Sequence, residues 1–168
     1  MRGLRTIYLV TRLVAGSALC VASAGCPHAS TASTVAPTSG AVPSEAAALA
    51  TLEQWRQAME VRSVDGLAQL YANDQRLIVV AQGQRTNGWS NVEPMLRQQL
   101  ERAAEVHVRL SEMTSYDYGQ TMVVHAAAEI ETSSGATAVK ESGVLTFVLA
   151  PRGTSWRIVA QHFSYRSR

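Results

Sequence analysis

The sequence predicts an α+β domain at residues 45–168. Three segments with the helical spacing of apolar residues come first, and long segments with strand character follow, separated by short turns. Helices that precede a run of hairpins are typical of an α+β fold, in which the sheet must bend around the helices to bury one face. A chain of 168 residues is long enough for one such domain and short for two.

The first helix is predicted to begin after Ser44, a residue type that caps helices, with Glu45 in the favourable first turn. Apolar residues then recur at spacings of three and four, at Leu49, Leu52, Trp55 and Ala58 or Met59. Residues 63–66 interrupt this pattern. A second short helix is predicted to carry Leu67, Leu70 and Tyr71. Ser90 is the predicted cap of a third helix that ends near residue 104.

The remaining segments are predicted as strands and turns. A β-branched run at residues 77–80 predicts a buried strand, and the polar residues 83–88 after it predict a turn. Four longer strands are predicted at residues 106–113, 121–132, 138–150 and 155–165. The segments between them contain glycine or the Ser-Ser-Gly and Pro-Arg-Gly sequences that tight turns favour.

Residues 1–25 have the pattern of an export signal. The segment is basic up to Arg12 and apolar from residue 13 to residue 24, which is too short to span a bilayer as a stable helix. Ser23-Ala24-Gly25-Cys26 resembles the lipobox of bacterial lipoproteins, except that Ser23 stands where Leu is usual. The resemblance implies cleavage before Cys26 and acylation of its thiol and new amine. The protein is then expected in the bacterial cell envelope, lipid-anchored and facing the periplasm or exterior; the alternative is an ordinary secretory signal cut nearby.

Residues 26–44 are predicted to form a lipidated cysteine followed by a disordered linker. They consist mainly of Ser, Thr, Ala, Pro, Gly and Val, which bury too little apolar surface to offset the entropy of ordering. Cys20 lies inside the signal, so the mature chain keeps Cys26 alone and forms no internal disulfide.

The charge of the mature chain gives no indication of nucleic-acid binding. Three of the 15 basic residues lie in the first 26 positions, which contain no acidic residue, so 12 basic and 13 acidic residues remain. A near-neutral chain lacks the positive surface that attracts phosphate backbones.

The order of elements is accompanied by several characteristic residues: Trp55, Asp65, Leu70-Tyr71, the turn at residues 83–88 and, above all, the last strand, Trp-Arg-Ile-Val-Ala-Gln-His-Phe-Ser at residues 156–164. In these features the chain resembles the SnoaL-like domains of the nuclear transport factor 2-like superfamily. The resemblance implies a cone-shaped roll, in which three N-terminal helices pack on a strongly curved, mostly antiparallel sheet and leave a pocket between them. The family includes isomerases, cyclases and dehydratases as well as non-catalytic binding and assembly domains.

Strict alternation on the last strand predicts which side chains line that pocket. It places Trp156, Ile158, Ala160, His162 and Ser164 on one face, which resembles the inward set of the family. His162 is then the candidate for proton exchange or for orienting a ligand carbonyl. The alternative is a structural histidine bonded to Ser164 or to a neighbouring strand.

Tyr71 and Trp89 are predicted to flank the mouth of the pocket, since each combines an apolar body with one polar tip. Packing in the core or at the rim is the alternative for both. A ketosteroid isomerase-like site requires a carboxylate in an apolar cavity opposite a hydroxyl donor. The strand carboxylates of Glu112, Glu129 and Glu141 are candidates to point inward, but alternation directs as many acids outward.

The favoured function is non-catalytic binding of a small apolar molecule by a membrane-anchored domain, dimeric assembly, or both. The alternative is an isomerase, cyclase or dehydratase that uses His162 as acid or base and Tyr71 as hydroxyl donor. Val159 and Phe163 are predicted on the outer face of the sheet, where their exposure favours a homodimer. The four histidines lack metal-ligand spacing, and phosphate-binding glycine motifs are missing, so we expect neither metal nor cofactor.

Overall fold

Three helices precede the four long strands in the computed structural model, which describes residues 42–167. They are α1 (Glu45–Glu60), α2 (Val64–Ala68) and α3 (Trp89–Arg102). The predicted cap of α1 is confirmed, because the Ser44 hydroxyl accepts a hydrogen bond from the backbone N–H of Ala47 at 3.3 Å. Ser63 caps α2 in the same way, accepting from Gly66 N at 3.0 Å.

Six strands form one open sheet in the order β2-β1-β6-β5-β4-β3. Their bounds are β1 Ile78–Ala81, β2 Gln84–Asn87, β3 Glu105–Asp117, β4 Met122–Ser134, β5 Thr137–Arg152 and β6 Ser155–Ser167. Neighbouring strands are antiparallel except β1 and β6, which are parallel. This curved, mostly antiparallel sheet with N-terminal helices confirms the predicted α+β class.

Two local predictions were wrong. Part of the polar segment predicted as a turn is β2, because Gln82 and Gly83, both with positive φ, form a tight turn that returns the chain antiparallel to β1. α3 begins at Trp89, and its N-cap is Gly88 with φ 76°, instead of Ser90. Gly88 N donates to Leu77 O at 2.8 Å, so backbone hydrogen bonds fix this helix start without a side-chain cap.

The helices cover one face of the sheet, called here the inner face. The core between the helices and this face contains the largest fully buried side chains, which include Trp55, Tyr71, Phe147, Trp156 and Ile158. Trp55 of α1 meets the ring of Phe147 on β5 edge to face, with centroids 5.1 Å apart. The opposite, outer face carries no helix of the described residues and has half-exposed apolar side chains such as Val144.

A β-bulge in β6 changes which side chains reach the inner face. Val148 pairs with Ala160, whereas the next residue of β5, Leu149, pairs with Ile158, so Val159 is an extra residue in β6. Ile158 is fully buried before the bulge, and Phe163 is buried after it. Because Ile158 and Phe163 are five positions apart, strict alternation would have placed them on opposite faces.

The predicted signal, Cys26 and most of the predicted linker lie outside the described residues. Within residues 42–167, none of the helices combines the length with the apolar character needed to cross a bilayer.

Candidate ligand-binding cavity

A cavity of about 340 Å³ is lined by residues of the inner face, α1, α3 and the β1–β2 hairpin. This volume lies at the lower end of the range for small-molecule sites, about 300 to 1,000 Å³. Its apolar lining comes from Trp55, Met59, Val79, Ala81, Met95, Leu96, Ile130 and Phe163. Its polar lining comes from Tyr71, Thr86, Arg102, Glu141 and from Gln82, Gln84, Gln98, Gln99 and Gln161. Amides outnumber charged groups in this polar lining.

Three polar side chains of the cavity wall form a continuous hydrogen-bond chain. The indole Nε1–H of Trp55 donates to the hydroxyl oxygen of Tyr71 at 2.8 Å. The Tyr71 hydroxyl in turn donates to Oε1 of Gln161. The chain joins α1, the segment after α2, and β6, so three separate elements fix the position of one amide.

The backbone on both sides of Tyr71 is hydrogen-bonded to the last strand. Ala72 N donates to Ile158 O at 2.9 Å, and Ile158 N donates to Leu70 O at 2.8 Å. Tyr71 thereby forms an isolated parallel bridge with Ile158, just before the bulge. The ring therefore has little freedom to leave the cavity wall.

Burial raises the pKa of Tyr71 well above its ordinary value, although the hydrogen bond from Trp55 opposes this effect. The phenol accordingly stays protonated at neutral pH. Trp89 stacks on it, with ring centroids 5.7 Å apart and planes 30° apart. Trp89 supports Tyr71 from behind and is not among the described residues that line the cavity.

The mouth of the cavity is polar. Nε2 of Gln82, in the β1–β2 turn, donates to Oε1 of Glu141 on β5 at 3.3 Å. On the α3 side, Gln98 and Arg102 also line the cavity and are exposed.

His162 and Ser164 do not line the cavity, so their predicted inward placement was wrong. Both side chains are exposed on the outer face. His162 pairs with Thr146 on β5 and with Val80 on β1 in the ladder. The extra residue Val159 shifts the alternation, which turns His162 outward. Phe163 was predicted outward and is 6% exposed on the inner face.

Sequence reasoning missed Gln161, which the bulge turns into the cavity beside Phe163. A signal was available in the composition of the two faces. Strict alternation assigned two aromatic residues, Phe163 and Tyr165, to solvent, while His162 and Ser164 were assigned to the core. That distribution is the reverse of what burial favours, and a single bulge corrects it.

Of the described residues that line the cavity, one carries a carboxylate, Glu141, and none is a histidine. The other two carboxylates considered from the sequence lie elsewhere: Glu112 is exposed, and Glu129 forms an ion pair with Lys140 at 3.2 Å. Within residues 42–167, no group of three or more His, Cys, Asp or Glu side chains is arranged to hold a metal ion.

Comparison with known proteins gives a family and a fold. The model of the SnoaL-like domain matches residues 48–167. A protein of the nuclear transport factor 2-like superfamily from Salmonella enterica has a similar structure, with 15% identity and a TM-score of 0.65 over 71% of this chain and 88% of that one. None of the curated proteins matches this chain in sequence.

Two further similar structures are described as candidate dehydratases. One, from Streptomyces avermitilis, is 17% identical with a TM-score of 0.67, over 72% of this chain and 94% of that one. The other, described as a candidate scytalone dehydratase from Novosphingobium aromaticivorans, is 11% identical with a TM-score of 0.65, over 73% of this chain and 83% of that one. At these identities the likeness establishes a common fold, which hosts many different functions.

Proposed function

This chain belongs to the SnoaL-like domain family, whose model matches residues 48–167, and we propose on that premise that its cavity binds a small, largely apolar molecule without transforming it. The observation that carries the proposal is the distribution of polarity in the cavity. Aromatic and aliphatic side chains form most of its inner wall, and amides surround the mouth. Sites for small molecules commonly combine an apolar wall with a few fixed polar groups.

Binding is favoured over turnover because the buried hydroxyl of the cavity wall, that of Tyr71, is already engaged. Tyr71 accepts from Trp55 and donates to Gln161, so its single proton is committed within the protein. His162 projects from the opposite side of the sheet. An acid–base pair of His162 with Tyr71 would require both side chains on one face, and we therefore do not retain that enzymatic alternative.

The uncharged fluorescent probe N-phenyl-1-naphthylamine tests the binding proposal. Saturable fluorescence enhancement is expected with the wild-type protein. Ala81→Phe should abolish most of it, because the added ring occupies the cavity that Ala81 lines. Ala127→Phe places the same ring on the outer face of β4 and is the matched control. Equal loss of fluorescence in both variants, or no saturable signal at all, would contradict cavity binding.

Mass spectrometry of small molecules that co-purify with the protein provides a complementary readout. We expect an apolar molecule that is released when the probe is added and whose mass stays unchanged during incubation with the protein. A time-dependent change in its mass would favour the dehydratase or isomerase class, which the family also contains.

We also propose that the domain is held at a membrane through acylated Cys26. The proposal is supported by the Ser-Ala-Gly-Cys sequence after an apolar segment and by the linker composition behind it. Replacing Cys26 by Ala should release the protein into the soluble fraction or leave the signal uncleaved. A Cys26→Ala protein that is processed and still sediments with membranes would contradict the lipid anchor.

The outer face supports a further proposal, homodimerisation. Its apolar side chains include Ile78, Tyr116 and Val144, which are 38%, 47% and 50% exposed. Exposed apolar groups on the face that carries no helix of the described residues favour an interface. Val144→Glu should shift the sedimentation coefficient to that of a monomer. Val139→Glu, near the β4–β5 hairpin tip, is the control and should leave a dimer; a wild-type monomer across micromolar concentrations would refute the proposal.

A further inference from the structure

The hydrogen-bond chain in the cavity wall has only one possible direction at its first step. A tryptophan indole nitrogen is a donor and never an acceptor. The Tyr71 oxygen must therefore accept from Trp55, and the remaining hydroxyl proton is directed to Gln161. The Gln161 atom that receives this proton has to be an acceptor, which in a neutral amide is the carbonyl oxygen Oε1.

This direction fixes the orientation of the Gln161 amide. With Oε1 held by Tyr71, the NH₂ group points away from the tyrosine. Inverting the amide would bring its N–H bonds against the hydroxyl proton and would remove the acceptor from a tyrosine that is only 1% exposed. Gln161 is thus held as a donor toward its other surroundings.

Those surroundings are the cavity. Within residues 42–167 no acceptor takes a hydrogen bond from Gln161 Nε2, and no fully buried side-chain nitrogen or oxygen lacks a partner. Nε2 therefore has accessible surface, and the space that Gln161 lines is the cavity beside Phe163 and Ile130. Covering this donor with an apolar group is unfavourable, because its hydrogen bond to water is lost. Placing an acceptor against it is favourable, because the hydrogen bond is replaced.

We propose that Gln161 orients the bound molecule, and that the cavity selects compact apolar molecules carrying an acceptor oxygen, such as an aryl ketone or ester, with that oxygen against Nε2. This proposal rests on the proposed binding function and names the ligand class for the same cavity. Trp55 and Tyr71 are positioning residues in this scheme, since they act through the amide.

Two probes of the same shape distinguish a hydrogen bond to Gln161 from binding in the cavity by apolar contacts alone. 2-Acetylnaphthalene carries a ketone oxygen, whereas 2-isopropenylnaphthalene carries a methylene group in the same place. Calorimetric titration of the protein with each should give tighter binding of the ketone, by roughly tenfold, the scale of one net hydrogen bond. The carbonyl stretching band of the bound ketone should also lie at lower wavenumber than in hexane.

Gln161→Glu supplies the sharpest variant, because a carboxylate still accepts from Tyr71 but has no donor. The ratio of ketone to hydrocarbon affinity should fall to one or below. Gln75→Glu is the matched control, because it adds the same charge at an exposed glutamine outside the cavity lining and should keep the ratio. Because the added charge weakens the binding of both probes, the ratio of their affinities reports only the change in hydrogen bonding.

NMR of the wild-type protein provides a second test that does not depend on the folding of Gln161→Glu. The side-chain ¹H and ¹⁵N resonances of Gln161 should shift with the ketone and stay near their free positions with the hydrocarbon. Binding of both probes with equal affinity and no such shift would overturn the donor role while leaving cavity binding intact. Failure of both probes to bind would overturn the proposed function and the ligand class together.

Discussion

Gln161 and His162 are neighbours on the last strand, yet they lie on opposite faces of the sheet with different surroundings. Gln161 lines the cavity, and its amide oxygen accepts from a buried tyrosine. His162 is exposed on the outer face, beside Thr146 in the ladder. The histidine has the more versatile chemistry of the two, but the amide is the group that the fold holds in place. Geometry therefore decides which side chain is a functional candidate here.

The bulge at Val159 determines these two orientations. If the same sequence formed a regular strand without a bulge, alternation from Ile158 would direct His162 inward and Gln161 outward. The bulge shifts the alternation by one position and places Phe163 among buried side chains. A single irregularity in the strand thus determines what the cavity offers a ligand.

Phe163→Ala should break this comparison most severely. The bulge places this ring among the buried side chains, 6% exposed, so the free energy of unfolding should fall by about 3 kcal/mol or more, the scale of losing a buried aromatic side chain. Urea denaturation measures the change. Ser164→Ala, at the exposed neighbour that strict alternation would direct inward, should cost clearly less. Equal losses in the two variants would contradict the strand register that the bulge sets.

Gly143 tests how closely the inner face is packed beyond the cavity. A Cβ atom on Gly143 would lie 1.9 Å from the carbonyl oxygen of Ser164, so the backbones of β5 and β6 would have to separate. We expect Gly143→Ala to destabilise the domain by about 1 to 3 kcal/mol, the usual cost of overpacking. The neighbouring Ser142→Ala is the control in the same urea titration. Equal stability of the two variants would mean that the strands adjust freely at this point.

The same substitution on the two faces should have unequal effects. Tyr71→Phe removes the acceptor of Trp55 and the donor to Gln161, which should cost about 1 to 3 kcal/mol for buried groups left without partners. Tyr116→Phe, at a tyrosine 47% exposed on the outer face, should change stability by less than about 0.5 kcal/mol. Thermal denaturation compares the pair, and similar losses would argue against a structural hydrogen-bond chain.

High pH should reveal the buried phenol. Burial raises the pKa of Tyr71, so the folded chain retains this proton after the unfolded chain has released it, above an ordinary value of 10.0. The unfolded state then binds fewer protons, and stability falls as the pH rises above that value. The wild type should lose stability above pH 10 more steeply than Tyr71→Phe. Parallel curves would show that Tyr71 ionises as easily in the fold as outside it.

The smallest effect is expected at His162. Because this side chain is exposed, His162→Gln should change the free energy of unfolding by less than about 0.5 kcal/mol. Affinity for 2-acetylnaphthalene should be unchanged, in contrast to Gln161→Glu. A loss of ketone binding in His162→Gln would place the histidine in the cavity and contradict the register of the last strand.

The sequence predicted the architecture well because helix caps and apolar periodicity are local signals. Ser44 and the Trp55 face of α1 are as expected. β2 was missed because its polar residues contribute backbone pairing to β1, which leaves no apolar alternation to detect. The cavity residues depended on the bulge at Val159, which carries no glycine or proline to indicate it. Tyr71 was predicted as a pocket residue from its side chain, an aromatic ring with one polar tip. That prediction does not depend on the register of the last strand.

The position of a bound probe tests the central claim most directly. Nuclear Overhauser contacts between 2-acetylnaphthalene and methyl groups distinguish the two faces of the sheet, since Leu96 and Ile130 line the cavity while Val144 lies on the outer face. The account predicts contacts to the methyl groups of Leu96 and Ile130, with the probe's acetyl group near the side-chain amide of Gln161. Contacts confined to Val144 and its neighbours would show that the outer face binds the molecule and would contradict the account.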